Sequence, residues 1–456
     1  MLTQALAIAR NTFVESLRQP IYFILILAGL LLQSFNLLLS AYSMGYSDSS
    51  EVSKDDKLLL DMGLATVFVL ATILAALTST AVLSREIDRK TALTVISKPV
   101  GRPVFVIGKY LGTAGAVVLA TYLQILFLLL AIRHGVMMRA TDTFDPVVIG
   151  AIGASMALAI GVAAWGNYFY GWVFSSTAVY ILTPALTAGL VLALALDRNA
   201  AGQIIPITES FKPQVTLAAS ALLLAAPVLA AIALAASTRL GQVMTITLCA
   251  GVFLLGLLSN YFFGRHAYQN QPIATITEAE PVTDRDGDFR DPGDTWRLTL
   301  DGPTAILLSP GDRLYYGPTP DGLALIPPTQ ASFEGDLDDP ATWARPRPSP
   351  NVIVRQVEPV EEDIHRLRIL NAGGVRAERP PAAGQFLFAT ETRVNWPARA
   401  AWSVVPNLQF FWLVDAVTQA HSIPARYVGL VALYSAVQVA GLVALAVILF
   451  QKREVG

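Results

Sequence analysis

Cysteine is almost absent from this chain: 456 residues hold one, Cys249, set inside an apolar run. A disulfide framework and a thiolate metal site are therefore excluded. Histidine is scarce as well. His134, His266, His365 and His421 are scattered, with no HExxH and no paired spacing, so no histidine metal centre is expected. Charge is the third shortage. Lys, Arg, Asp and Glu make up 14% of the residues against 54% apolar ones, where a soluble domain carries about 25% charge. The chain reads as a membrane protein. A net charge of −2 gives nucleic acid no electrostatic reason to bind.

What is abundant is long uncharged sequence. About 20 apolar residues cross a bilayer, and such runs fall at about 21–41, 62–84, 108–132, 146–166, 174–196, 215–237, 241–263 and 427–450. The 146–196 run is too long for one helix and is split near Gly166–Trp172, where Asn167, Tyr168, Tyr170 and Trp172 suit an interfacial aromatic belt. Before the first run, residues 1–18 place Leu2, Leu6, Ala9, Phe13 and Leu17 at spacings of four and three, opposite Gln4, Arg10, Asn11, Glu15 and Arg18. This pattern predicts an amphipathic helix lying along a membrane face. The first run is long enough to span, so no cleaved leader is expected. Lys and Arg gather in 85–109 and at both chain ends. The positive-inside rule then places both termini in the cytoplasm of a multi-pass inner-membrane protein.

Residues 265–400 differ in kind. They are rich in Pro, Gly and Asp and hold no span-length run. Alternating stretches at 295–300, 304–309, 312–317, 351–357, 365–370 and 384–394 read as strands, with Asp-Gly and Gly-Gly turns between them. The fold class expected is an α-helical polytopic membrane protein of about eight transmembrane helices with an inserted β-rich domain, extracytoplasmic by span parity. The expected domains are an interfacial helix over 1–18, a transmembrane domain over 19–264, the β-rich domain over 265–400, and an outer segment, last helix and short tail over 401–456. Trp296, Tyr315, Tyr316 and Trp343 suggest that the β domain binds a periplasmic partner or caps the membrane part.

Enzyme signatures fail on inspection. Gly153-Ala-Ser155-Met-Ala157 ends in Ala where a nucleophile elbow needs Gly, and it lies in a span where small residues pack helices. Gly101 to Lys109 has the wrong glycine spacing for a phosphate loop, with Tyr110 in place of the Mg²⁺-binding hydroxyl. No catalytic residue is expected. Asp and Glu are read as absent from span interiors, which argues against a proton relay.

The segment between the second and third runs carries more. Arg85, Glu86, Asp88, Arg89, Lys90 and Thr91 put mixed charge on one or two helical turns, and Ala92, Leu93, Val95 and Ile96 give that helix an apolar side. Pro99 ends it, and Gly101 and Pro103 turn the chain into the next span. A short helix parallel to the membrane at 85–98, followed by a sharp re-entry, is a docking element for a soluble partner. Arg85, Glu86, Asp88, Lys90, Thr91, Ser97, Lys98, Pro99, Val100, Arg102, Phe105, Gly108 and Lys109 follow a pattern that resembles the coupling-helix region of ABC-2 type permeases. The likeness is greatest to the branch that serves multicopper-enzyme (nitrous-oxide-reductase) maturation. Val404–Ala416, VVPNLQFFWLVDA, resembles the P-N-x-x-x-F segment outside that family's last helix.

The resemblance implies a non-catalytic permease subunit of an ABC transporter. It would work as a homodimer in membrane lipid with two copies of a separate ABC ATPase, and export an unidentified substrate. No cofactor is expected on this chain; ATP and Mg²⁺ belong to the partner. Arg85, Glu86, Asp88, Arg89, Lys90 and Thr91 would touch the ATPase, and Lys98, Pro99, Arg102, Gly108 and Lys109 would fix the turn. Gln33, Ser34, Asn36, Thr72 and Ser79 would line a dimer cavity or else satisfy helix–helix hydrogen bonds. The alternative is mechanotransmission, in which the ATPase works an envelope protein through the β domain and nothing crosses. The family core has six spans and no such inserted domain, so the likeness covers about 1–200 and 402–456.

Overall fold

The uncharged runs are helices, because a segment without water must satisfy its own backbone. The computed structural model describes residues 2–40, 54–84, 101–137, 144–198, 203–282, 289, 293–323, 333, 335–339, 352–359, 365–372, 380–418 and 422–451. These fall into two compact units: the first is Met1–Leu257 with Leu408–Gly456, the second Leu258–Asn407.

In the first unit α1 is Leu2–Arg18, α2 Pro20–Ser40, α3 Lys54–Ser79, α4 Arg102–His134, α5 Pro146–Tyr170 and α6 Phe174–Ala195. Then come α7 Pro213–Leu223, α8 Ala225–Ser237 and α9 Gln242–Leu257. Among the described residues seven helices are long and apolar enough to cross a membrane, with α7 and α8 forming one span. The expected run 241–263 is different: its helix breaks after Leu257, and a π-helical turn follows at Asn260–Gly264. The spans total seven, or eight if the broken pair counts as one. The described chain is a multi-pass membrane protein. One correction concerns charge. The second span runs from Lys57, so Asp61 lies inside it, against the expectation of acid-free interiors.

Hydrogen bonds sort the helix ends of this unit into two sets. At one face Arg102 Nη1 donates to the carbonyl of Gln451, in the last helix, and Ser175 Oγ donates to the carbonyl of Arg18, at 2.9 and 3.0 Å. At the other, Arg133 at the end of α4 bridges Asp145 and Asp197, which precede α5 and follow α6. Asp145 also caps α5, accepting from the backbone N–H of Val147 and Val148 at 2.9 and 3.2 Å. The α5–α6 turn falls where it is expected. Gly171 takes a left-handed φ of +66°, and the indole of Trp172 lies against Gly166.

The 3₁₀ turn Leu408–Phe411 returns the chain to this unit. Gln409 Nε2 donates at 2.5 Å to the carbonyl of Leu257, which the broken helix leaves without a helical partner. Trp412 stacks on Phe68, and Phe253 meets Phe68 edge-on.

The second unit holds β1 Tyr268–Gln269, β2 Ala274–Pro281, β3 Thr295–Leu300 and β4 Tyr315–Gly317, then β5 Val352–Val357, β6 His365–Asn371, β7 Phe386–Phe388 and β8 Arg393–Val394. Helix α10, Trp396–Val404, follows, capped by Asn395. In the first unit α11, Val414–Thr418, and α12, Ala425–Gln451, complete the chain. The six-stranded antiparallel sheet runs β4-β7-β2-β3-β6-β5. Its two ends are joined by one stretch of chain. Residues 311–314 bond to β5, through Gly311 N–H to Val354 carbonyl, Val354 N–H to Asp312 carbonyl and Leu314 N–H to Val352 carbonyl, and β4 directly after them pairs with β7. The sheet thus curls around Ile276, Phe289, Trp296, Leu298, Val354, Leu367 and Leu387.

Strands were expected at 295–300, 351–357 and 365–370 and are found there. Of 312–317 only the last three residues qualify as strand, and 384–394 divides into β7 and β8. The expected strand 304–309 does not form: Pro303 precedes it, and Leu307 is 99% exposed with no core to face. Strand β2 was not foreseen.

Candidate functional site

The residues expected to touch a soluble partner, Arg85, Glu86, Asp88, Arg89, Lys90 and Thr91, lie outside the described residues, as do Lys98 and Pro99. Their flanks are described. On the upstream side α3 widens into a π-helical turn at Thr80–Ser84. Thr78 and Thr80 donate their hydroxyls back to the carbonyls of Leu74 and Ala76 at 2.7 and 2.9 Å. That is how Thr sits in an apolar helix without an unmet donor. On the downstream side Gly101 is the N-cap of α4, and Pro103 occupies its first turn. A proline there loses no hydrogen bond and presets the helical φ.

The first turns of α4 are held from three directions. Arg102 satisfies the carbonyl of Gln451 near the end of α12, and the Phe105 and Phe450 rings stack at 5.7 Å. Tyr110 donates to the carbonyl of Pro227 in α8 at 3.2 Å. Lys109 is buried, with its ammonium 4.0 Å from Glu15 on α1 and 5.6 Å over the Phe105 ring. A buried ammonium persists only with such partners.

Gly108 lies in the same contact. A Cβ there would sit 2.7 Å from the Ile8 Cβ and 2.9 Å from the Ala5 carbonyl oxygen; one on Gly112 would sit 2.5 Å from the Ala9 carbonyl oxygen. The spacing Gly108–Gly112–Ala116 brings α1 and α4 together almost backbone to backbone, the standard use of small residues between helices in lipid. Ala5, Thr12 and Ser16 are buried with Leu17, while Leu2 and Leu6 are 76% and 54% exposed. The small side pairs with α4 because only small residues allow that approach. The leucines at the start of α1 are left exposed.

Of the residues expected at a dimer cavity, Gln33 and Asn36 point at α3 within one chain. Gln33 Nε2 donates to the Gly63 carbonyl at 2.9 Å, and Asn36 Nδ2 to Thr66 Oγ1 at 3.0 Å. They make the helix–helix bonds that were the other role open to them. Thr72 bonds back to the Phe68 carbonyl, Ser79 is fully buried, and Ser34 lies on the exposed side of α2. Sequence reasoning missed the glycine stripe of α4; its signal was the four-residue spacing of small residues. Ser155 faces Gly189 across the α5–α6 contact, a packing role.

On the β unit, Trp296 is core, which corrects its expected place on a binding surface; Trp343 lies outside the described residues. The outward side of the sheet sets Arg297 directly across from Arg368. Like charges in that register repel. The Glu358 carboxylate resolves this by accepting from both, at 3.2 Å from Arg297 Nε and closer from Arg368 Nε. Burial pushes the Glu358 carboxyl up, but the two guanidinium bonds outweigh it and hold its pKa below the usual glutamate value. Among the described residues no three His, Cys, Asp or Glu side chains converge as a metal site.

Residues 6–205 match a family model described as ABC-2 family transporter protein. No curated protein matches the chain. The matched stretch begins in α1, takes in the 85–109 segment and ends after α6; the last spans and the β unit lie beyond it. Over that stretch the chain is similar to ABC-2 permeases, membrane components of transporters.

Proposed function

We propose that this chain is the permease subunit of an ABC transporter and that it takes force from a separate ATPase through residues 85–98. The supporting observation is the coincidence of three things: the 6–205 family match, the charged sequence Arg85–Lys90 within it, and an α4 start clamped to α1, α8 and α12. A push delivered at Gly101 meets helices that cannot slide independently. ATP and Mg²⁺ bind the partner chain. Two permease copies and two ATPases form the working unit, in an inner membrane with both termini cytoplasmic, and a substrate leaves the cell between the copies. The branch serving nitrous-oxide-reductase maturation is the family neighbour we favour.

The second reading is mechanotransmission. It is favoured by the β unit, which has a hydrophobic core of its own and sits in the sequence between α9 and the last span. There the ATPase cycle works an envelope partner bound to that unit.

Co-purification decides the first point. Tagged wild type brings down an ATP-hydrolysing subunit, and Glu86→Lys/Asp88→Lys does not, although it inserts and folds. If neither protein carries an ATPase, the permease reading fails. Deleting 272–398 separates the two readings: transport survives in an exporter, whereas mechanotransmission is lost with ATPase coupling intact.

A further inference from the structure

We infer that the first unit carries a binding site for an anionic amphiphile, the acyl chain and head group of an acidic phospholipid, at the end of α4 opposite Gly101. A cavity of about 220 Å³ opens where the last turns of α4 and α6 meet the first turn of α7. Its walls are graded. Leu129 and Leu190 line it from further inside α4 and α6, Ile132 and Leu194 in the last turns, and Arg133, Lys212, Ser210 and Thr216 beside them at the helix ends. A bilayer has the same order, apolar below and charged at the boundary. A molecule with one chain and one polar head fits such a wall; a uniformly polar solute does not.

The charges choose the sign of the head. The lining holds two cations and one carboxylate, Asp197. Asp197 is already engaged, since one of its oxygens accepts from Arg133 and the other from Ser210 Oγ at 2.6 Å. Arg133 is committed to Asp145 as well, at 3.1 Å. Lys212 makes no ion pair among the described residues, and it is the N-cap of α7, with no side chain capping that helix end. An ammonium and an uncapped helix start at one rim favour an anion there. Arg133 thus supports the site, and Lys212 is the group that reads the head.

Native mass spectrometry of the full-length protein released from vesicles tests this. The vesicles hold phosphatidylglycerol and phosphatidylcholine in equal parts. Wild type is expected to retain one phosphatidylglycerol per chain in preference to phosphatidylcholine. Lys212→Glu should retain phosphatidylglycerol about tenfold more weakly and Lys212→Arg should keep it, the scale of one charge-assisted contact. Leu190→Trp, which fills the chain-binding end, should abolish retention of both lipids. Soluble glycerol phosphate should not compete, since the chain supplies much of the binding. Equal retention of the two lipids by wild type, unchanged retention in Lys212→Glu, or competition by glycerol phosphate would overturn the inference.

Discussion

The two units of this chain hide polar groups in opposite ways. In the membrane unit, hydroxyls bend back on their own helix: Thr72, Thr78, Thr80 and Thr121 each donate to the carbonyl four residues earlier. Helices then approach through glycine and alanine. In the β unit charge is settled between strands, buried amides such as Asn371 bond to carbonyls of other segments, and a plug of Trp, Phe, Leu and Ile fills the centre. The reason is the solvent. Lipid is as apolar as leucine, so expelling leucine from it gains nothing, and close backbone contact is what holds helices together. Water rewards the burial of each apolar side chain.

That contrast can be broken most sharply in the β unit. Leu298 is fully buried there, and Leu298→Ala should cost about 2–5 kcal/mol. Calorimetry in detergent should show the β-unit transition fall while the membrane transition stays. Gly112→Leu should act the other way round. It forces a side chain against the Ala9 carbonyl, costs about 1–3 kcal/mol and frees α1, which limited proteolysis would then cut.

Acid sharpens the comparison further. Glu358 has a folded pKa below its usual 4.5, so its contribution is full above that value and fades as pH falls through the folded pKa. A melting series from pH 6 downward should show the β transition weakening below about 4.5, with that part of the slope missing in Glu358→Gln. The smallest effect is expected from Gln33→Leu. The bond to Gly63 lies between helices in lipid, where such bonds average about 0.6 kcal/mol, so melting should shift little in either direction.

The spans were legible in the sequence because lipid demands unbroken apolar runs, and seven of eight expected runs are continuous helices or a joined pair. The eighth breaks where the chain leaves the first unit, a boundary that hydropathy does not register. Strands with strict alternation, such as Thr295–Leu300, could be read, whereas β2 could not: ATITEAEP lacks large residues and depends on neighbours on both sides. The charged sequence at 85–90 was visible as composition. Of the clamp beside it, Gly108 and Lys109 were named only as part of a turn, and the contact of Gly108 and Gly112 with α1 shows once α1 is laid on them.

The way residues 311–317 link the two ends of the sheet bears on how the β unit can be recognised. A sheet with an open border offers a row of unmet amides and carbonyls to any extended peptide. Here the chain itself occupies much of that row, at β5 and again at β7. A protein that engages this unit must therefore read its outward side chains, the arginine and glutamate pattern over β3 and β6, and a peptide with the right side chains but no folded surface of its own would find little to hold.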